Sequence, residues 1–256
     1  MSTWAVHPVG CPCGAEFQAQ LADGLHITRL PEVRQKILDG TFHTVTCPGC
    51  RATGVVHTKT LYTDFQRFHW VAVAPRWMVG DYEAWDAVVT EEFHKNLRVA
   101  APPMITALAG QFVVRLVFGL DALAEKLKAW DAGLDDAAME LVKWRLIQGH
   151  PELISPGFRL RLVEADRQRW HLGFSIERPG VPGVTLLDVS LDAYVEVVDR
   201  LEEAPEGLFV PGSTFVSLDR LFAGSLAAAW PERQSLRVLR PMRPQDDHPL
   251  FSEPPR

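Results

Sequence analysis

Two tight cysteine pairs, Cys11-Pro12-Cys13-Gly14 and Cys47-Pro48-Gly49-Cys50, constrain this chain more than any other feature. Proline and glycine inside such turns let the backbone fold closely around a metal, and four soft sulfur ligands close a tetrahedral zinc shell. The two turns come from distant segments, with 33 residues between Cys13 and Cys47. Cys11, Cys13, Cys47 and Cys50 are therefore the expected ligands of one zinc ion. A shell of four thiolates leaves no vertex for water or substrate, so the zinc is expected to be structural. The first pair is separated by one residue instead of two, which makes a tighter turn and leaves open His7 as a stand-in for one sulfur. Cys47-Pro-Gly-Cys50 also has the spacing of a dithiol oxidoreductase. Such a motif normally opens a helix, whereas Arg51 to Val55 leads into extended sequence, and a redox reading leaves the other cysteine pair unexplained. Arg51, directly after the last ligand, reads either as a donor to a thiolate or as a solvated arginine.

With 256 residues, 47% of them hydrophobic and 23% charged, the chain can bury one sizeable core or two modest ones, which excludes disorder as its main state. Lys and Arg number 26 against 32 Asp and Glu, a formal charge of -6 with no basic block, so binding nucleic acid by phosphate neutralisation is disfavoured. The first ten residues, MSTWAVHPVG, lack a positive segment followed by an apolar one, and a cytoplasmic protein is expected. The longest uncharged run, between Arg98 and Arg115, is interrupted by Pro102-Pro103 and is too short for a membrane helix, so no membrane contact is expected. Eight tryptophans spread along the chain suit core filling.

The local patterns alternate between helix and strand. Pro31 suits a first helical turn and Gly40 a helix stop, giving a short helix over 31–38 between the cysteine pairs. Phe17 to Ile27 reads as extended, and Val55 to Tyr62 with Phe68 to Ala74 as a hairpin. Together these make a zinc ribbon with an inserted helix, its stability owed largely to the metal, at about 10 kcal/mol of apparent binding energy. Asp81 opens a helix with Trp85, Val88, Val89, Phe93 and Leu97 on one face. Gln111 to Phe118 is a strand leading into a helix with Leu123, Leu127 and Trp130, and Asp135 or Asp136 caps another running through Trp144. Arg159 to Glu164 and Trp170 to Glu177 read as strands, and Ser190 as the start of a helix carrying Tyr194, Val197, Val198 and Leu201. The class is α+β, with N-terminal zinc-ribbon-like hairpins followed by mixed helices and strands. Helix pattern gives way to strands near 149–157, which suggests residues 1–150 as a zinc-binding domain with a helical extension and 151–240 as an α+β region. The proline-rich segment 241–256 suggests a flexible tail.

Other constellations carry less. Glu140 and Lys143 after Asp135-Asp136 have a nuclease-like composition, but three residues apart on a helix they read as a surface ion pair. The nine histidines contain no pair spaced i, i+4 on a helix, and His43 and His57 are expected to pack beside the ribbon. Phosphate-loop, dinucleotide-binding and serine-hydrolase patterns are absent from the sequence.

The cysteine turns, Leu30-Pro-Glu-Val-Arg-Gln-Lys-Ile-Leu-Asp-Gly40, Phe42 and Leu61-Tyr-Thr-Asp64 together resemble the bacterial CpXC domain, over about residues 10 to 150. Arg115 to Lys126 and Gly133 to Lys143 look like the second half of longer members. The resemblance implies zinc binding and brings no activity with it, because none is established for that family. This chain departs from the expected pattern in the single-residue gap of its first pair. Since no nucleophile is paired with a base, the chain is expected to be non-enzymatic, a scaffold whose zinc fixes a rigid surface for another protein. The alternatives are an enzyme using the thiols or an unrecognised pocket, and a nucleic-acid-binding ribbon.

Overall fold

The computed structural model describes residues 2–239, so the expected tail, 241–256, lies outside the described residues. The chain opens with a long antiparallel hairpin of β1 (Thr3–Gly10) and β2 (Glu16–His26). Helix α1 (Pro31–Leu38) starts on its proline and stops before Gly40, whose φ of +69° is the left-handed conformation that ends helices. A second, small hairpin joins β3 (Thr44–Thr46) to β4 (Thr53–Val55), and a third pairs β5 (Thr60–Asp64) with β6 (His69–Ala74). Helix α2 (Tyr82–Phe93) runs into a π-helical turn, His94–Val99, and α3 (Pro103–Leu108) follows. Strand β7 (Val113–Phe118) passes through Gly119 into α4 (Leu120–Asp131). The remaining elements are α5 (Asp136–Gly149), the antiparallel strands β8 (Arg159–Asp166), β9 (His171–Glu177) and β10 (Thr185–Ser190), α6 (Asp192–Val195), α7 (Ala223–Ala229) and β11 (Arg237–Val238).

Six strands form the main sheet in the order β11-β1-β2-β5-β6-β7, with parallel pairing at β2–β5 and β6–β7. Its two faces are both covered, which is why β6, His-Trp-Val-Ala-Val-Ala, is buried along its whole length. On one face Trp70, Leu116 and Phe118 pack against Trp85, Val89 and Phe93 of α2 and Leu226 of α7. On the other, Tyr62, Val71, Val73 and Val117 meet Val33 and Ile37 of α1 and Leu123 and Leu127 of α4. A second core joins β8–β10 to α5 through Leu160, Leu162, Phe174, Val142 and Ile147.

The α+β class is as expected, and so are α1, the β5–β6 pairing, α2, the β7-to-α4 step and the cap at Asp135, whose Oδ1 accepts the Ala138 N–H at 2.8 Å. Two expectations need correction, and one strand has no counterpart in the sequence reading. Strand β1 was not expected, yet it supplies half of the hairpin that bears the first cysteine pair. Val55 belongs to the β3–β4 hairpin, so the third hairpin starts only at Thr60. The helix expected from Ser190 is a single turn, α6, after which Val197 and Leu201 reach the second core from tight turns. Residues beyond 150 also return to the main sheet, where β11 pairs with β1 and the Leu116 N–H donates to Thr214 O at 3.0 Å.

Candidate metal centre

Each cysteine pair sits in the turn of its own hairpin. At the β1–β2 turn the Cys11 N–H donates to Ala15 O and the Gly14 N–H to Cys11 O, both at 2.9 Å, and Gly14 takes φ +92° to close the loop. At the β3–β4 turn the Cys47 N–H donates to Ala52 O at 2.9 Å and the Arg51 N–H to Cys47 O at 3.0 Å. The turns meet tip to tip. A Cβ on Gly49 would lie 3.0 Å from Ala15 Cβ and 3.8 Å from Cys13 Sγ, so any side chain here would press the two turns apart by a few tenths of an ångström.

All four sulfurs converge, each within 4.8 Å of the others. Cys11 Sγ lies 3.7 Å from Cys50 Sγ, and Cys13 Sγ lies 3.8 Å from Cys47 Sγ. These separations exclude a disulfide, whose sulfurs lie about 2.05 Å apart, and all four cysteines are free. They match the edge of a zinc–thiolate tetrahedron, which is about 3.8 Å for a bond of about 2.3 Å. The single-residue gap of the first pair therefore does not prevent convergence. Cys11 and Cys47 are buried with Val9, Leu21, Val56 and Leu236, while Cys13 and Cys50 face solvent.

The electrostatics favour a cation among the sulfurs. The Cys50 amide, helped by that of Gly49 and opposed by burial, pulls the Cys47 thiol down to about 7. The Cys13 amide pulls Cys11 down too, but burial and the three surrounding thiols outweigh it and push Cys11 up to about 12. Without a positive charge between them, these sulfurs cannot all be thiolates at neutral pH, so a metal would displace protons on binding.

A family model, the CpXC protein, matches residues 9–143, more than half of the chain and both cysteine turns. The chain belongs to the CpXC family. No curated protein and no solved structure matches it. In this CpXC protein the metal-compatible site is thus carried by the matched region, whereas β8 to β11 lie beyond it.

The other sequence candidates are placed differently. His7 is not in the sulfur cluster; its Nε2 meets Asp23 Oδ1 at 2.9 Å, which removes it as a stand-in ligand. Arg51 is exposed and left-handed at φ +63°, and its backbone amide is what serves the turn. His43 is buried, accepts the Ala22 N–H at 2.9 Å through Nε2 and stacks on Phe42. His57 packs edge-on to Trp77 just after β4.

Glu140 and Lys143 are not a surface pair but lie 1% and 0% exposed. Glu140 Oε1 meets Lys126 Nζ at 2.8 Å, and Oε2 takes both Lys143 Nζ at 2.6 Å and the Leu218 N–H at 2.7 Å. Lys143 also meets Glu125, Lys126 meets Asp136, and Arg161 pairs with Asp219. With both of its oxygens engaged, Glu140 is a poor nuclease ligand. Burial alone would raise the Asp136 carboxyl, but Lys126 and Arg115 hold it well below the usual range. Helix register alone does not reveal this belt, because its partners lie on α4, β8 and the 216–219 segment.

A cleft of about 600 Å³ between α2 and residues 210–213 shares no residue with the sulfur cluster. One of its three acids, Asp86, is engaged by Ser213 Oγ at 2.6 Å and the Thr214 N–H at 2.7 Å. Among the described residues no helix is long and apolar enough to cross a membrane.

Proposed function

We propose that Cys11, Cys13, Cys47 and Cys50 hold a structural zinc, and that this CpXC protein acts as a non-enzymatic module presenting the paired turns to another protein in the bacterial cytoplasm. The convergence of four unbridged sulfurs at tetrahedral spacing carries the reading. Zinc accepts four thiolates without redox chemistry, and a filled shell leaves it no catalytic vertex. Unbridged thiols suit a reducing compartment.

The surface around the site supports a protein partner over nucleic acid. Pro12, Cys13, Gly14, Pro48, Gly49, Cys50 and Arg51 form an exposed tip, in which Arg51 is the single basic residue. Phosphate neutralisation needs several cations on one face. Burial of Cys11 and Cys47 in an apolar core beside the main sheet suits a scaffold, and it makes the metal a fastener of the two turns more than the support of the whole N-terminal region.

Elemental analysis of protein purified without chelator, alongside Cys47→Ser, tests this. One zinc per chain, lost in the variant, is expected. In the loaded protein Cys13 and Cys50 should resist alkylation until a chelator is added. Metal-free protein with rapidly alkylated thiols would favour a thiol enzyme. Binding of short nucleic-acid strands that weakens steeply with salt would favour the nucleic-acid reading.

A further inference from the structure

The last described strand lies across both cysteine hairpins. Val238 and Arg237 of β11 pair with Val9 and Gly10, the residues immediately before Cys11. One residue later, the Leu239 N–H donates to Pro8 O at 2.8 Å. Just beyond the other hairpin, two residues after β4, the His57 N–H donates to Leu236 O at 3.2 Å, and His57 bridges Arg237 in parallel.

Side chains repeat the backbone pattern. Leu236, 8% exposed, packs in the same small core as Cys11, Cys47, Val9, Leu21 and Val56. A Cβ on Gly10 would lie 2.4 Å from Leu239 Cδ2, and one on Gly54 would lie 3.2 Å from Leu236 Cδ1. Glycines on both hairpins thus make room for this segment.

We infer that residues 236–239 form a metal-dependent strap, docked when the four cysteines hold an ion and released when they lose it. The inference rests on the metal reading above. A strand with two register pairs has little stability of its own. Its docking needs both hairpins held in one arrangement, and the sulfur cluster is what joins their tips. Linkage makes the effect reciprocal: a strap that docks only on the joined hairpins must tighten metal binding by the same factor that metal tightens the strap. Metal loading near the start of the chain would thereby control release of a segment near its end.

The test uses the full chain with zinc as the probe. Hydrogen exchange at the amides of His57 and Leu239 is measured with zinc bound and after chelation, and zinc affinity is measured by competition with a chromophoric chelator in wild type, Leu236→Ser and Leu239→Gly. Expected results are faster exchange at both amides after chelation and zinc affinity lowered about tenfold by Leu236→Ser. Leu239→Gly, which leaves the sulfur core intact, should lower affinity by a smaller factor and covers the case in which Leu236→Ser does not fold. If zinc binds but neither amide exchange nor affinity changes, the strap is overturned while the metal reading stands. If wild type binds no zinc, the metal reading fails and takes the strap with it.

Discussion

Lys126 Nζ lies 2.8 Å from Glu140 Oε1 with both side chains almost wholly excluded from water, at 3% and 1% exposure. The same ammonium donates to Val216 O at 2.7 Å, and Glu125 receives the Leu162 N–H at 2.8 Å. Charges on α4 and α5, within or next to the family-matched region, are thus completed by groups on β8 and the 216–219 segment, outside it. Breaking a buried pair by removing one partner leaves an uncompensated charge, which is far more costly than losing a surface bridge.

Glu140→Ala removes the carboxylate shared by two buried ammonium groups, leaving one buried positive charge in excess although Lys126 keeps Asp136 and Lys143 keeps Glu125. It should destabilise the fold by about 3–5 kcal/mol in urea denaturation. Glu203→Ala, which breaks an exposed pair with Arg145, should cost less than about 1 kcal/mol. Equal effects would mean that the buried belt contributes no more than a surface contact.

The belt also bears on separability. A fragment of residues 1–150 retains Lys126, Glu125 and Glu140 but lacks Val216 O, Leu162 N–H, Leu218 N–H and Arg161. It should express poorly or give a broad, non-cooperative thermal transition. A sharp transition near that of the intact chain would contradict this.

Acid should weaken the fold through two buried histidines, His43 and His69, and the half-buried His57. Burial pushes His43 and His69 down to about 4 and, with Arg76 nearby, His57 to about 3. In the unfolded chain each binds a proton near pH 6.5, so the unfolded state gains protons first as pH falls. The contribution is complete above about pH 6.5 and is lost as pH drops towards 4, at up to about 1.4 kcal/mol per pH unit per histidine. Urea midpoints at pH 7 and pH 5 should show the loss, and His69→Gln should flatten the slope. A midpoint that does not fall with pH would contradict this account.

Gly49 sets how near the two turns come. Gly49→Val puts its Cβ only 3.0 Å from Ala15 Cβ and adds two methyl groups beside the sulfurs, so it should lower metal affinity about tenfold or more while leaving far-ultraviolet dichroism unchanged. Gly14→Ala meets no neighbouring atom but must hold φ +92°, so it should lower stability by about 1 kcal/mol with smaller loss of affinity. If the two substitutions affect affinity equally, the close approach at Gly49 is not what shapes the site.

These contrasts show what was legible in the sequence. The cysteine turns, α1 with Pro31 and Gly40, and the Asp135 cap rest on signals within a few residues, and they appear where expected. The belt does not, because Glu140 and Lys143 have the spacing of an exposed helix pair, and nothing local announces that Leu218, 78 positions away, will donate to Glu140. Strand β11 escapes for the same reason, since two residues carry no periodicity and their partners, Val9 and Gly10, lie at the opposite end of the chain. Convergence of the sulfurs was legible as a need of the metal; that Cys11 and Cys47 are buried while Cys13 and Cys50 are exposed depends on Val9, Leu21, Val56 and Leu236.

X-ray absorption at the zinc edge of the purified chain tests the central claim most directly. Four sulfur neighbours at about 2.3 Å, with no nitrogen or oxygen in the shell, are predicted. A shell containing nitrogen or oxygen, or protein without zinc whose sulfurs are bridged in pairs, would contradict it.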